Sequence, residues 1–194
     1  MVEKIFMNVG LMKCGTTTLH EAAIKSGLTS SHHFDREHKR GIGLVMFYDR
    51  LVGNDPLQSI NSQCVTQPDF CYYGLSIFPQ CVLGMLKEVR KHNPNCAFIL
   101  NTRNVDDHAR SMWKWRNLQE RLNDSGAPGL VTPISKQRLK DWILWHNDRL
   151  RRELKDDPKF FEIEIDKPEA PEILSKAINR PITWWGRANA SPES

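Results

Sequence analysis

Apolar positions in this chain gather in short runs, and longer segments of helical period separate them. The run IFMNVG (5–10) is apolar enough for a buried strand. Behind it, TTTLHEAAIKSG sets Leu19, Ala22 and Ala23 at helical spacing, with Gly27 beyond as a stop. A short second strand is expected within 28–34, a helix through 43–52, and an irregular stretch rich in Pro, Asn, Gln and Ser from Gly53 to about Gly74. Residues 79–94 read as an amphipathic helix closed by Asn93 and Pro94. CAFILNTR (96–103) reads as a strand apolar on both faces, which suits the middle of a parallel sheet. A helix from Val105 to about Arg121, opened by Asp106 and Asp107, precedes a loop holding Gly126, Pro128, Gly129 and Pro133. A long charged helix (135–155), a strand (159–166) and a helix (168–179) follow, and the tail beyond has no period. This alternation predicts an α/β fold of three layers, with a central, mainly parallel β-sheet flanked by helices.

Composition narrows the class. With 194 residues, 40% of them hydrophobic, residues 1–194 suffice for one domain with one core. The formal charge of +4 suits an anionic ligand, but the basic residues are dispersed, so no nucleic-acid partner is expected. Five cysteines (Cys14, Cys64, Cys71, Cys81, Cys96) without a CxxC pair indicate free buried thiols, neither a disulfide framework nor a zinc site. The first apolar run is too short for a membrane span or a secretory signal, so a cytoplasmic protein with no membrane partner is expected.

The sharpest chemical signal is NVGLMKCGTTTLHEA (8–22). Gly10 and Gly15 have the spacing of a nucleotide-triphosphate loop, yet Thr16 stands where that loop carries its lysine. The one lysine lies inside, at Lys13. Thr17 keeps the place of the hydroxyl that would hold magnesium, but the apolar strand FILN ends in Asn101 where a second metal anchor would be acidic. Both departures point to a phosphate site neutralised by side-chain cations, with no metal. A strand, a glycine loop and a helix start would aim backbone N–H groups at an anion. Taken alone, the glycines could merely shape a turn, the threonines cap a helix, and Arg103 end a strand in solvent.

MKCGTTTL resembles the 5′-phosphosulfate loop of the sulfotransferases that use 3′-phosphoadenosine 5′-phosphosulfate (PAPS). FILNTRNVDDHARSMWKW resembles the same family's 3′-phosphate region, an apolar strand ending in Arg103 and a helix carrying Ser111 eight residues on. FFEIEID, a Pro-started helix and WWGRANAS resemble the closing strand, helix and Asn-containing tail of many carbohydrate-type members. The resemblance covers the whole chain. It implies a P-loop-like fold and transfer of a sulfuryl group to a hydroxyl of a carbohydrate or small metabolite, with adenosine 3′,5′-bisphosphate as product. It further implies that Lys13, Cys14, Gly15, Thr16, Thr17 and Thr18 hold the 5′-phosphosulfate, with Arg103 and Ser111 on the 3′-phosphate. Lys13 would also act catalytically, over the bridging oxygen. The alternative is a P-loop NTPase or small-molecule kinase.

The family's base is either a His before the third core helix or a Glu shortly after the second strand. The first place holds TQPDFCYY, with Asp69 but no His; the second holds HHFDREHK (32–39). Counting from Lys13 puts the carboxylate nearest Asp35, followed by Glu37 and His33. The same cluster, with His32 and His38, could instead bind a divalent metal or be a solvated loop. Trp113, Trp115, Trp142, Trp145, Trp184 and Trp185 offer stacking platforms for an acceptor, although the spacing of Trp142 and Trp145 on one helix suits core packing. Arg36, Lys39 and Arg40 would favour an acidic acceptor, or form a solvated face.

Overall fold

The structure, a computed structural model, describes residues 2–35 and 39–188. In chain order the elements are β1 (Phe6–Asn8), α1 (Thr16–Lys25), β2 (Ser30–Ser31), β3 (Phe34–Asp35), β4 (Arg40–Gly41) and α2 (Ile42–Leu51). Next come β5 (Cys64–Val65), β6 (Phe70–Tyr72), β7 (Leu75–Ile77), a 3-10 turn (Pro79–Cys81), α3 (Leu83–His92) and β8 (Ala97–Thr102). The chain continues through α4 (Val105–Lys114), α5 (Leu118–Ser125), α6 (Lys136–Glu153), β9 (Phe160–Glu164) and α7 (Ala170–Ile178).

The central sheet has five strands in the order β2-β5-β1-β8-β9, every neighbouring pair parallel. Side chains alternate across it with the two-residue period of a strand. Phe6, Ala97 and Ile99 pack on one face against α1 and α7, while Met7, Phe98 and Leu100 pack on the other against α2, α3 and the end of α6. The fold is therefore α/β in three layers, a parallel sheet between helices. A third apolar cluster joins α4, α5 and the first half of α6. Two short antiparallel pairs, β3 with β4 and β6 with β7, lie outside the sheet.

Parallel pairing brings all five C-terminal strand ends to one edge. The chain leaves β1 through α1 toward β2 on one side, and leaves β8 through α4 to α6 toward β9 on the other. The connections thus part between β1 and β8, and the crevice of an open α/β sheet forms at such a point. The loop after β1 and Arg103 after β8 flank it.

Two expectations differ from the structure. The irregular stretch 53–74 contains β5, a fully buried interior strand between β2 and β1, with β6 beyond it. Only two residues of β5 pair, too few to display a period. The helix expected over 105–121 is two, broken where Arg116 takes φ 36. Met112, Leu118 and Leu122 all enter the same core cluster, so the apolar rhythm runs through the break. Among the described residues no helix is long and apolar enough to cross a membrane.

Candidate active site

The loop from Val9 to Gly15 is held from beneath by side chains distant in sequence. Asn8 turns back to accept from the Gly10 N–H at 3.1 Å and donates to the Thr66 carbonyl at 3.1 Å. His146 Nε2 donates to the Val9 carbonyl and His108 Nε2 to the Met12 carbonyl, each at 2.8 Å. Asn101 Nδ2 donates to the Cys14 carbonyl. Since carbonyls only accept, both imidazoles carry their proton on Nε2. Gly10 lets the loop lie on Asn101: a Cβ there would sit 2.0 Å from Oδ1. Gly15 is required twice, by φ 75 and by Ile165, whose Cγ1 would be 2.4 Å from a Cβ.

Helix α1 starts at Thr16 with no side-chain cap and no acid in its first turn. The first bond into the helix runs from the Leu19 N–H to the Gly15 carbonyl. The N–H groups of Gly15, Thr16, Thr17 and Thr18 thus stand at the positive end of the helix dipole without intrahelical partners. Helix α4 differs, since its Asn104 accepts from the N–H groups of Asp106 and Asp107.

Cations gather in front of this helix start. Lys13, at φ 66, extends its ammonium over the Trp115 ring, 4.8 Å from the centroid, and Arg121 lies 5.0 Å from the same ring. Burial first, then Arg103 and Arg116, holds Lys13 below the usual lysine range. Arg103 pairs with Asp166 at 3.3 Å, while its Nε is buried without a partner among the described residues. Among the described residues neither Lys13 nor Arg116 pairs with a carboxylate. Ser111 is half-buried on α4, one turn past His108 and on the side of the helix that reaches the loop. The Cys14 thiol is fully buried and pushed up by that burial, so this residue offers the site its backbone alone.

Two threonine hydroxyls are committed elsewhere. Thr16 Oγ1 donates to Gln67 Oε1 at 3.0 Å, and Thr18 Oγ1 donates to the Gly186 carbonyl in the C-terminal segment at 3.0 Å. Thr17 is half-buried, and its hydroxyl has no partner among the described residues. Gln67 passes the contact on, donating to Asp69 Oδ1 at 2.8 Å; Gln80 donates to Oδ2 at 2.7 Å, and the Met12 N–H also stabilises the charge of this carboxyl. Burial pushes Asp69 up to about 7.

Of the base candidates, Asp35 is buried in β3 opposite Arg40, and His33 is exposed. Glu37 lies outside the described residues. The neighbouring His32 touches the site, its Nε2 3.3 Å from Thr16 Oγ1 and its Nδ1 2.9 Å from His33 Nδ1. Among the described residues no three His, Cys, Asp or Glu side chains gather as a metal site would require. Trp142 is core, with its indole N–H on the Pro128 carbonyl, and Trp115 is the indole beside Lys13. Trp115 is among the stacking candidates, but the motifs do not disclose Arg116, Asp166, His108 and His146 as parts of this site, because these arrive through tertiary packing from the α4–α5 break, the end of β9, α4 and α6. No family model matches the chain, and no curated protein matches it either.

Proposed function

We propose that this chain is a sulfotransferase that moves a sulfuryl group from PAPS to a hydroxyl of a carbohydrate or small metabolite, leaving adenosine 3′,5′-bisphosphate. The observation that carries the reading is the gathering of Lys13, Arg103 and Arg116 before an uncapped, acid-free helix start. Like charges so close raise each other's free energy, which a ligand with two anionic groups relieves. The residues fit such a ligand: Arg103 keeps a buried Nε without an acceptor, and α1 keeps four N–H groups without partners.

In this reading the N–H groups of Gly15 to Thr18 and the Thr17 hydroxyl hold the 5′-phosphate, and Arg103 with Ser111 holds the 3′-phosphate. An arginine suits that second place because its planar fork donates parallel charge-assisted bonds. Bound there, the donor supplies a sulfuryl group, whose sulfur gains a bond to the acceptor oxygen as its bond to the phosphate oxygen breaks. Lys13 neutralises the charge that develops on that phosphate oxygen.

The acceptor's proton needs a base, and we assign it to His33 on the direction of one hydrogen-bond chain. Thr16 donates to Gln67, so Thr16 accepts from His32, whose proton therefore sits on Nε2. His32 Nδ1 must then accept from His33 Nδ1–H, which leaves the lone pair of His33 on Nε2. Although His33 is exposed as a residue, its ring packs edge-on against His32, and this partial removal from water lowers its pKa, so the ring is neutral at pH 7 and able to take a proton. Asp35, first in the sequence ranking, is buried in its strand pair and takes second place.

Thermal unfolding with adenosine 3′,5′-bisphosphate, compared with ATP plus magnesium, tests the reading. Stabilisation by the bisphosphate in the presence of a chelator is the expected result. A response confined to ATP with magnesium would overturn it in favour of an NTPase or kinase.

A further inference from the structure

We propose that His108, Asn101 and Asp69 are positioning residues, a buried clamp on the peptide groups around Lys13 that holds this lysine in the left-handed backbone region. The link to turnover rests on the sulfotransferase reading; the clamp itself does not.

Lys13 is a non-glycine residue at φ 66, a conformation L side chains disfavour because Cβ crowds the carbonyl. Such a residue persists only where its surroundings over-determine it. Here they do so on both sides. On the near side, the Met12 carbonyl is fixed on His108 Nε2 at 2.8 Å, while the Met12 N–H lies toward the Asp69 carboxyl and stabilises its charge. Beyond Lys13, the Cys14 carbonyl takes the Asn101 amide. With the planes before and after it fixed, Lys13 has little freedom to relax its own φ and ψ.

None of the three can serve by touching a ligand, since His108 and Asn101 are 1% exposed and Asp69 is 0% exposed. Nor are they economical as filling. His108 Nδ1 and Asn101 Oδ1 are buried with no partner among the described residues, and Asp69 is a carboxyl wholly removed from water. Apolar residues would occupy these places without orphaned atoms. What the polar ones add is the set of bonds to the loop. Asn101 stands where a metal-using loop would have its strand-end acid, and spends its amide on shaping the lysine's loop instead.

A double-mutant cycle in thermal unfolding, with no ligand present, reads the clamp directly. Glycine adopts the left-handed region freely, so Lys13→Gly should raise the midpoint by roughly 2–4 °C in the parent protein. In a His108→Leu background the loop is released, and the same change should raise the midpoint much less, because the backbone strain that glycine relieves is gone while the loss of the Lys13 charge is common to both backgrounds. His108→Gln, which keeps an N–H donor, should restore the gain. If His108→Leu does not fold, Asn101→Ala serves as the second background with the same expected loss of the gain. Equal gains in all backgrounds would overturn the clamp. In turnover, His108→Leu should lose tenfold or more while bisphosphate Kd stays within about threefold. Coupling in the unfolding cycle with no bisphosphate binding would support the clamp and remove the sulfotransferase reading.

Discussion

Strand β1 separates two lysines that burial treats alike and their neighbours treat oppositely. Lys4, before the strand, is 6% exposed and donates to the carbonyls of Ile60 and Ser62. Burial lowers its pKa, but Asp55 pulls it back up, and Asp49 does so more weakly. Lys13, after the strand, is also lowered by burial, and there Arg103 and Arg116 push it the same way. An aromatic face is the partner it has. A lysine enclosed by acceptors completes the scaffold, whereas one enclosed by cations is stabilised only when an anion arrives. The contrast is one of charge balance rather than of depth.

The strongest way to break this comparison is to remove each ammonium in turn. Lys13→Ala should reduce turnover by about 10³-fold, in the range for loss of one preorganised group at a developing oxyanion, with the unfolding midpoint unchanged or raised. Lys4→Met should do the reverse. It strands the Ile60 and Ser62 carbonyls, costing about 2–3 kcal/mol by urea unfolding, and keeps turnover per folded molecule. Equal effects of the two changes on stability would erase the distinction. Next in size, Arg103→Ala should weaken bisphosphate binding by about 10- to 100-fold in calorimetry, the worth of charge-assisted bonds. Saturating turnover should change far less, which would separate the ligand-holding role proposed for Arg103 from the catalytic role proposed for Lys13.

The smallest effect expected is one of pH. His108 and His146 are held at about 4 and His32 at about 3, each lowered first by burial. A His lowered by folding contributes stability that is complete above its ordinary value near 6.5 and is lost as pH falls toward the folded value. Asp69, raised to about 7, acts with the opposite sign: its contribution is present at low pH and lost as pH rises through about 7. Three imidazoles outweigh one carboxyl, so stability should fall between pH 6.5 and 4. All four groups belong to the Lys13 end. Amide exchange corrected for its intrinsic rate should therefore quicken at residues 9–15 before it does at residues 4–6.

Much of this architecture is legible in the sequence, and the reasons differ by element. Strand β8 announces itself because all six of its residues are buried. The glycine loop after β1 does so because glycine spacing and a displaced lysine are local facts. Strand β5 is silent, since two paired residues carry no period. The clamp is silent for another reason. His108 reads as one polar residue in an amphipathic helix and Asn101 as the end of an apolar strand, and Asp69 lies among prolines and glutamines. Only packing shows that all three turn inward to the same loop.

The distances along the chain carry one more consequence, for the order in which the protein is made. The Val9, Met12 and Cys14 carbonyls are held by groups 137, 96 and 87 residues further on. A ribosome therefore delivers the loop first and its fastenings much later, and closing such long intervals is slow. Until His146 has emerged, a nascent chain has the glycine loop in sequence but not in shape. Any ligand that needs the finished loop cannot rescue an early folding step in such a chain; it can reward only the finished one.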